Sequence, residues 1–205
     1  SYVDFNRAGI GLMEIVSHPD LSSADEVVDY VKRLRALMRA LGVCHGDMEK
    51  GQLRIDANVS VRRPNEPLGT RVEIKNMNSV RNVKAAIDAE IKRQIELINS
   101  GQPVVSETRL FDLNSNQTIA MRKKEELNDY RYFPDPDLCQ FHISDAWLDE
   151  VKSKMPRLSA DYEQLFISEY GLPLYDAQVL SSEKEIADYF LAVCEHTRLF
   201  KAASN

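Results

Sequence analysis

The sequence predicts an α+β fold: an antiparallel sheet covered by helices on one side, followed by a small helical domain. Three patterns carry this. Two runs, 53–62 and 71–75, alternate strictly between apolar and polar residues, the signature of strands with one apolar and one polar side. Two longer stretches, 23–42 and 79–101, place apolar residues at helical spacing between capping signals. Beyond Ser144 the pattern is helical throughout, which sets a domain boundary near 143 and divides the chain into 1–143 and 144–205.

In the first run Leu53, Ile55, Ala57, Val59 and Val61 are apolar, whereas Arg54, Asp56, Asn58, Ser60 and Arg62 are polar. A break with Pro64, Asn65, Pro67 and Gly69 follows, and then Arg71, Glu73 and Lys75 alternate with Val72 and Ile74. The two runs read as an antiparallel hairpin with a long loop. Opposed residues share a side, so matching apolar to apolar requires paired numbers that sum to an odd value. A sum of 133 sets Asn58 opposite Lys75 and Ser60 opposite Glu73. Any odd register gathers Arg54, Asp56, Asn58, Glu73 and Lys75 on one surface. For an arbitrary hairpin a solvated outer face is the commoner explanation; the mixture is also what a site for metal and phosphate needs, and alternation alone does not choose between them.

Residues 7–17 read as a further strand in which Glu14 interrupts the apolar row Ile10, Leu12 and Val16. A carboxylate in such a row is paired, neutralised or on a cation. Ser23-Ala-Asp-Glu26 is a capping box and Gly42 a C-cap. The helix between them buries Val27, Val31, Leu34, Met38 and Leu41. The second helix, Ser79 to Ser100, has the apolar series Val80, Val83, Ile87, Ile91, Ile95 and Ile98. Residues 104–122 form a second hairpin around Asn114-Ser115-Asn116, with Glu107 opposite Arg122, Leu110 opposite Ile119, and Arg109 on the side of Glu107. Pro134 and Pro136 make 122–137 an ordered loop or irregular turn, in which the basic residues 122–124 and the aromatics Tyr130, Tyr132 and Phe133 around Arg131 either clamp phosphate or a base or simply pack. In the last segment, Ser144, Ser159 and Ser182 start helices, with a turn at Pro173–Leu180.

The totals narrow the function classes. The chain has 205 residues, 43% hydrophobic and 28% charged, which is ordinary for a globular protein. No run reaches membrane-spanning length. The formal charge of −6 speaks against indiscriminate nucleic-acid binding. It is uneven: 144–205 holds 6 basic against 11 acidic residues. Cys44, Cys139 and Cys194 form no C-x-x-C pair, and the four histidines are scattered, so neither zinc nor a disulfide framework is expected. P-loop, dinucleotide and serine-hydrolase motifs are absent. The chain begins with Ser and enters strand-like sequence almost at once, which reads as part of a longer protein.

Taken together, Asp4-Phe-Asn-Arg-Ala-Gly9, Leu12-Met-Glu-Ile-Val16, Met48-Glu-Lys-Gly-Gln-Leu-Arg-Ile-Asp-Ala-Asn-Val-Ser-Val-Arg62, Val72-Glu-Ile-Lys-Asn-Met-Asn-Ser79, Glu107-Thr-Arg109 and Asp129-Tyr-Arg-Tyr-Phe-Pro-Asp-Pro-Asp-Leu138 closely resemble the B subunit of the glutamyl/aspartyl-tRNA amidotransferase. Tyr170-Gly-Leu and Tyr175-Asp-Ala-Gln-Val-Leu180 are similar to its helical domain. The resemblance implies a core like that of glutamine synthetase and the guanido kinases, lacking here the family's N-terminal portion and tail domain, so that this stretch alone is expected to be inactive. It implies use of ATP and Mg²⁺ to phosphorylate the side-chain carboxylate of Glu-tRNA(Gln) or Asp-tRNA(Asn). It also implies assembly with an amidase A subunit and a small C subunit or organellar equivalents, mischarged tRNA as substrate, and a bacterial cytoplasm or organelle matrix as setting. On this basis Glu14 and Glu73, with Asp56 and Glu49 behind them, are expected to bind metal. Arg54, Lys75 and Arg109 are expected to meet phosphate charge. Asn58 and Asn76 would orient ligand or water, and Arg122 and Arg131 would help hold the nucleotide. A non-catalytic scaffold that binds tRNA or its partner proteins is the competing expectation.

Overall fold

A run of apolar residues at every second position needs a covering layer, and here one helix supplies most of it. The computed structural model describes residues 4–6, 9–123 and 137–205. Helix α1 (Ala24–Ala40) is followed by β1 (Ala57–Val59), β2 (Val72–Lys75), α2 (Val80–Asn99), β3 (Glu107–Asp112) and β4 (Gln117–Lys123). Five helices complete the chain: α3 (Asp145–Ser153), α4 (Ser159–Ser168), α5 (Leu174–Ser181), α6 (Lys184–Cys194) and α7 (Phe200–Ala203). Both long helices start and stop where their caps predict. Ser23 accepts from the Glu26 N–H and Ser79 from the Asn82 N–H. Gly42 and Gly101 close them in left-handed conformation, each with a pair of backbone bonds back into the last turn.

The four strands form one sheet in the order β1-β2-β3-β4. It is mixed rather than antiparallel. The β1–β2 and β3–β4 pairs are antiparallel, but β2 and β3 run parallel. A single crossing by α2 carries the chain back to the end at which β2 began, so the next strand must run the same way. The first hairpin pairs Ala57 with Ile74, Asn58 with Glu73 and Val59 with Val72. This is two residues from the expected register. The shift preserves which side each residue faces, because the side-chain period is two. In the second hairpin Leu110 meets Ile119 as expected, but a bulge beyond Arg109 sets Glu107 opposite Lys123 and Thr108 opposite Arg122.

Helix α2 lies on the sheet and α1 packs against α2. Their shared core holds Ala24, Val59, Ile74, Met77, Val83, Ala86, Ile87 and Phe111. The buried face of α2 departs from the expected series. It runs Val83, Ala86, Ile87, Glu90, Gln94, leaving Ile95 exposed. Glu90 is 0% exposed and fully partnered. Its carboxylate accepts from Arg93 (2.6 and 2.9 Å), Gln94 Nε2 (2.8 Å) and Thr118 Oγ1 (2.7 Å), with Arg109 Nε 3.5 Å away. Gln94 also replaces a strand partner for the edge of β1. Its amide donates to the Val59 carbonyl at 3.1 Å and accepts from the Val61 N–H at 3.0 Å. The backbone ladder therefore ends at Val59, although the alternation continues to Arg62. Opposite, Gly69 presses on the Val61 carbonyl, where a Cβ would sit 2.2 Å from the oxygen.

Residues 9–17 are not a strand. Both parities are exposed, with Leu12 at 95%, and no described strand pairs with the segment. Among the described residues its alternation packs against no strand. The helical region has its own core of Tyr162, Phe166, Leu172, Ala177, Leu180, Ala187, Phe190 and Cys194. Phe166 and Phe190 meet edge-on at 4.9 Å. The expected turn at 173–180 is instead helix α5, which starts directly after Pro173 and buries Ala177 and Leu180. The Ser182 capping box does not form, because the Ser182 hydroxyl donates to the Val179 carbonyl of α5 at 2.7 Å. The two cores meet where α1 touches α4 and Arg39 lies 3.6 Å from Glu183. No helix among the described residues is long and apolar enough to cross a membrane.

Gln94→Leu removes both side-chain bonds to the β1 edge and one to Glu90. It should cost about 1–3 kcal/mol of unfolding free energy in urea titration. Acid should act through Glu90. Burial pushes its carboxyl up, but hydrogen bonds from Arg93, Gln94 and Thr118 and the charge of Arg93 outweigh burial and hold it below its ordinary 4.5. A depressed carboxyl stabilises the fold at pH values above its unfolded value, and the contribution fades as pH falls through the folded one. Stability measured across pH should therefore drop below about pH 4.5, and the drop should be smaller in Glu90→Gln, which starts less stable at neutral pH.

Candidate functional site

The sheet face turned away from α2 carries a row of charge. Glu73 and Lys75 alternate with the buried Val72 and Ile74 and so point to the other side. Asp56, just ahead of β1, brings its carboxylate to Lys75, with Oδ2 2.7 Å from Nζ. Glu73 Oε1 is 3.3 Å from the same ammonium. Arg54 stands outside at 3.4 Å from Asp56, with its side chain 78% exposed. Thr108 on β3 donates to Glu73 Oε2 at 2.9 Å. Asn58 is exposed on β1 opposite Glu73. The hydrogen bond from Lys75 to Asp56 raises its ammonium above the ordinary value, assisted by the charge of Asp56 and by Glu73 against the cost of burial. A raised lysine keeps its charge below that value and contributes stability until pH rises through it. Lys75 is thus a permanent cation at neutral pH.

The other sequence-predicted residues divide. Arg109 lies on the opposite, helix-covered face. It bonds Glu107, the Thr118 carbonyl (2.6 Å) and Thr118 Oγ1 (2.8 Å), so its charge is spent beneath α2. The alternation that sends Thr108 to Glu73 sends Arg109 the other way. Glu14 is exposed in the irregular segment and Glu49 is exposed in a turn, and neither bonds a described residue. Asn76 is left-handed (φ 68°) and turns the chain out of β2 so that Met77 enters the core. Its position is explained by backbone geometry, which asparagine tolerates better than most residues. Arg122 belongs to β4 opposite Thr108, but its side chain and the whole of Arg131 lie outside the described residues.

The donor chemistry fits a magnesium-bearing phosphate ligand. Asp56 and Glu73 offer hard oxygen, and one cationic nitrogen already sits between them, marking where positive charge is held. Among the described residues no group of three or more His, Cys, Asp or Glu could cage a metal. A magnesium ion does not need such a cage when phosphates and waters complete its shell beside one or two carboxylates.

The motifs on this face match a known family. The family model for the GatB/GatE catalytic domain covers residues 1–149. The chain belongs to this family. Three curated relatives bear the name of the B subunit of an aspartyl/glutamyl-tRNA(Asn/Gln) amidotransferase. The chain is 56% identical over its full length to the one from Methylobacterium nodulans, spanning 42% of that protein. It is 55% identical over 93% of its length to that of Rickettsia bellii, spanning 39% of it. It is 54% identical over its full length to that of Azorhizobium caulinodans, again spanning 42%. The chain therefore spans less than half the length of these family members.

Sequence reasoning did not single out Thr108, Glu90 or Gln94. Thr108 sits between two charged residues of a short motif, and its neighbour Glu73 is known only once β2 and β3 are paired. Glu90 and Gln94 were detectable in principle, because they continue the 83–87 stripe at helical spacing and break its apolar character.

Burial separates the energies of the two cations. Lys75→Met leaves two carboxylates without their shared counter-ion and should destabilise by roughly 1–3 kcal/mol. Arg54→Met should change stability by less than about 0.5 kcal/mol. Comparing urea midpoints of the two variants checks the difference, and equal effects would contradict the geometry above.

Proposed function

We propose that this chain is the catalytic-domain part of the B subunit of an amidotransferase that uses ATP to phosphorylate the side-chain carboxylate of Glu-tRNA(Gln) or Asp-tRNA(Asn). The observation that carries this reading is the convergence of Asp56 and Glu73 on Lys75 on the sheet face turned away from α2, in a chain belonging to this family. The family names of the relatives support the substrate class.

The chemistry explains the residue types. A carboxylate does not exchange its oxygen for ammonia directly, because the leaving group is poor. Phosphorylation by the γ-phosphate of ATP makes an acyl phosphate. Ammonia attacks its carbonyl carbon, the C–O bond to phosphate breaks, and inorganic phosphate leaves as the amide forms. The first step brings two anions together, so positive charge must be held in place beforehand. Lys75 supplies a fixed charge for phosphate oxygens, and Arg54, exposed beside it, supplies a mobile one. Asp56 and Glu73 would hold Mg²⁺, which when bound neutralises triphosphate charge. Asn58, exposed opposite Glu73, is placed to orient ligand or water. In this reading ammonia comes from an amidase partner, a small third protein completes the assembly, and the setting is the bacterial cytoplasm.

The test is tRNA-dependent phosphate release by the full-length protein assembled with its partners. Glu73→Gln should lower it by at least about a hundredfold while glutamine hydrolysis by the partner persists. Wild-type turnover would remove Glu73 from the site. Failure of the complete wild-type protein to bind Mg²⁺-nucleotide would favour a scaffold instead.

A further inference from the structure

Thr108 occupies an unusual position on β3. It is 2% exposed and sits beside Glu73 across the parallel pair. A buried hydroxyl needs a partner. This one donates to a side-chain carboxylate, Glu73 Oε2, at 2.9 Å. The other oxygen of the same carboxylate faces Lys75 at 3.3 Å. Threonine is stiff at its first side-chain torsion, so its hydroxyl is held in direction by the strand. The adjoining bulge and the anchoring of Arg109 beneath α2 hold that strand in register. The carboxylate of Glu73 is thus gripped at both oxygens by groups on two different strands.

We propose that Thr108 is a positioning residue: its hydroxyl orients the Glu73 carboxylate toward a divalent cation carried by a triphosphate. This rests on the reading that Glu73 serves a magnesium–nucleotide ligand. Groups that hydrogen-bond a ligating side chain fix its orientation, and their loss characteristically weakens metal binding about 10–100-fold.

The experiment uses the full-length protein assembled with its partners and measures Mn²⁺ binding by electron paramagnetic resonance with a nonhydrolysable ATP analogue. Thr108→Val, which keeps the shape and removes the donor, should weaken Mn²⁺ binding by about tenfold or more. Thr108→Ser, which restores the donor, should return it to within about twofold of wild type. Melting temperatures report whether each variant is folded, and Thr108→Ala replaces the valine variant if that one does not assemble. Wild-type Mn²⁺ affinity in the hydroxyl-less variant, alongside a loss in Glu73→Gln, would overturn the role of Thr108 and leave Glu73 standing. Equal losses in the serine and valine variants would reduce Thr108 to packing and overturn the inference. Wild-type affinity in Glu73→Gln would remove both Glu73 and the role assigned to Thr108.

Discussion

A carboxylate with no access to water must be matched by donors or it does not stay charged, and the packing of the sheet against α2 is organised by that requirement at Glu90. Its two oxygens draw Arg93 and Gln94 from its own helix, Thr118 from β4 and, at longer range, Arg109 from β3. Through Gln94 the same group is tied to the edge of β1. Three of the four strands are thereby referred to one helix face by directional bonds, where apolar contact alone would tolerate sliding. A strand has only two sides. Once Arg109 is committed beneath α2, Thr108 must point to the other face, and it points at Glu73. The hidden network therefore governs the geometry of the exposed one.

The two networks contain similar residue types and differ in energy because they differ in water. Beneath α2, removing the charged partner of a buried ion pair strands a charge in a low dielectric and costs about 3–5 kcal/mol. On the open face the outermost pair, Arg54 with Asp56, is worth at most about 1 kcal/mol and is weakened by salt. Lys75 stands between these limits, with its side chain 30% exposed. A group held firmly enough to keep its place, yet open enough to meet a ligand, is what a binding face requires and what a purely structural ion pair does not.

Much of this arrangement was legible in the sequence, and the parts that were not share a physical cause. Local chemistry was read well. The caps of α1 and α2, the side of the sheet that carries Asp56, Asn58, Glu73 and Lys75, and the Leu110–Ile119 pairing depend on a few neighbouring residues. Relations between distant segments were read poorly. The hairpin register slipped by two because any even shift keeps apolar residues facing inward, and only the competing bonds of Gln94 and the approach of Gly69 to Val61 settle it. The parallel β2–β3 pair follows from where a 20-residue helix returns the chain, which alternation does not encode. Residues 9–17 have strand-like spacing but pair with no described strand, since spacing records what a segment can pair with and not where it pairs. Arg109 illustrates the same limit. Its charge and its motif were visible, but its side follows from the pairing of β3 with β2, which sets Arg109 beside the buried Ile74.

Charge counting on the open face explains why a lysine sits among acids. Asp56 and Glu73 both approach Lys75 Nζ, so their oxygens are no further apart than the two contact distances combined. At that separation, with an effective dielectric near 20, two carboxylates repel by on the order of 3 kcal/mol. A cation between them offsets that repulsion. Among the described side chains, Arg54, Asp56, Lys75 and Glu73 together are neutral, and these four exert little long-range pull on a polyanion. Their share in any selectivity for a metal-bearing triphosphate would then arise at contact, from matching alternate charges one by one. That agrees with a chain whose net charge is −6, for which a general affinity for phosphate or nucleic acid would be electrostatically unfavourable.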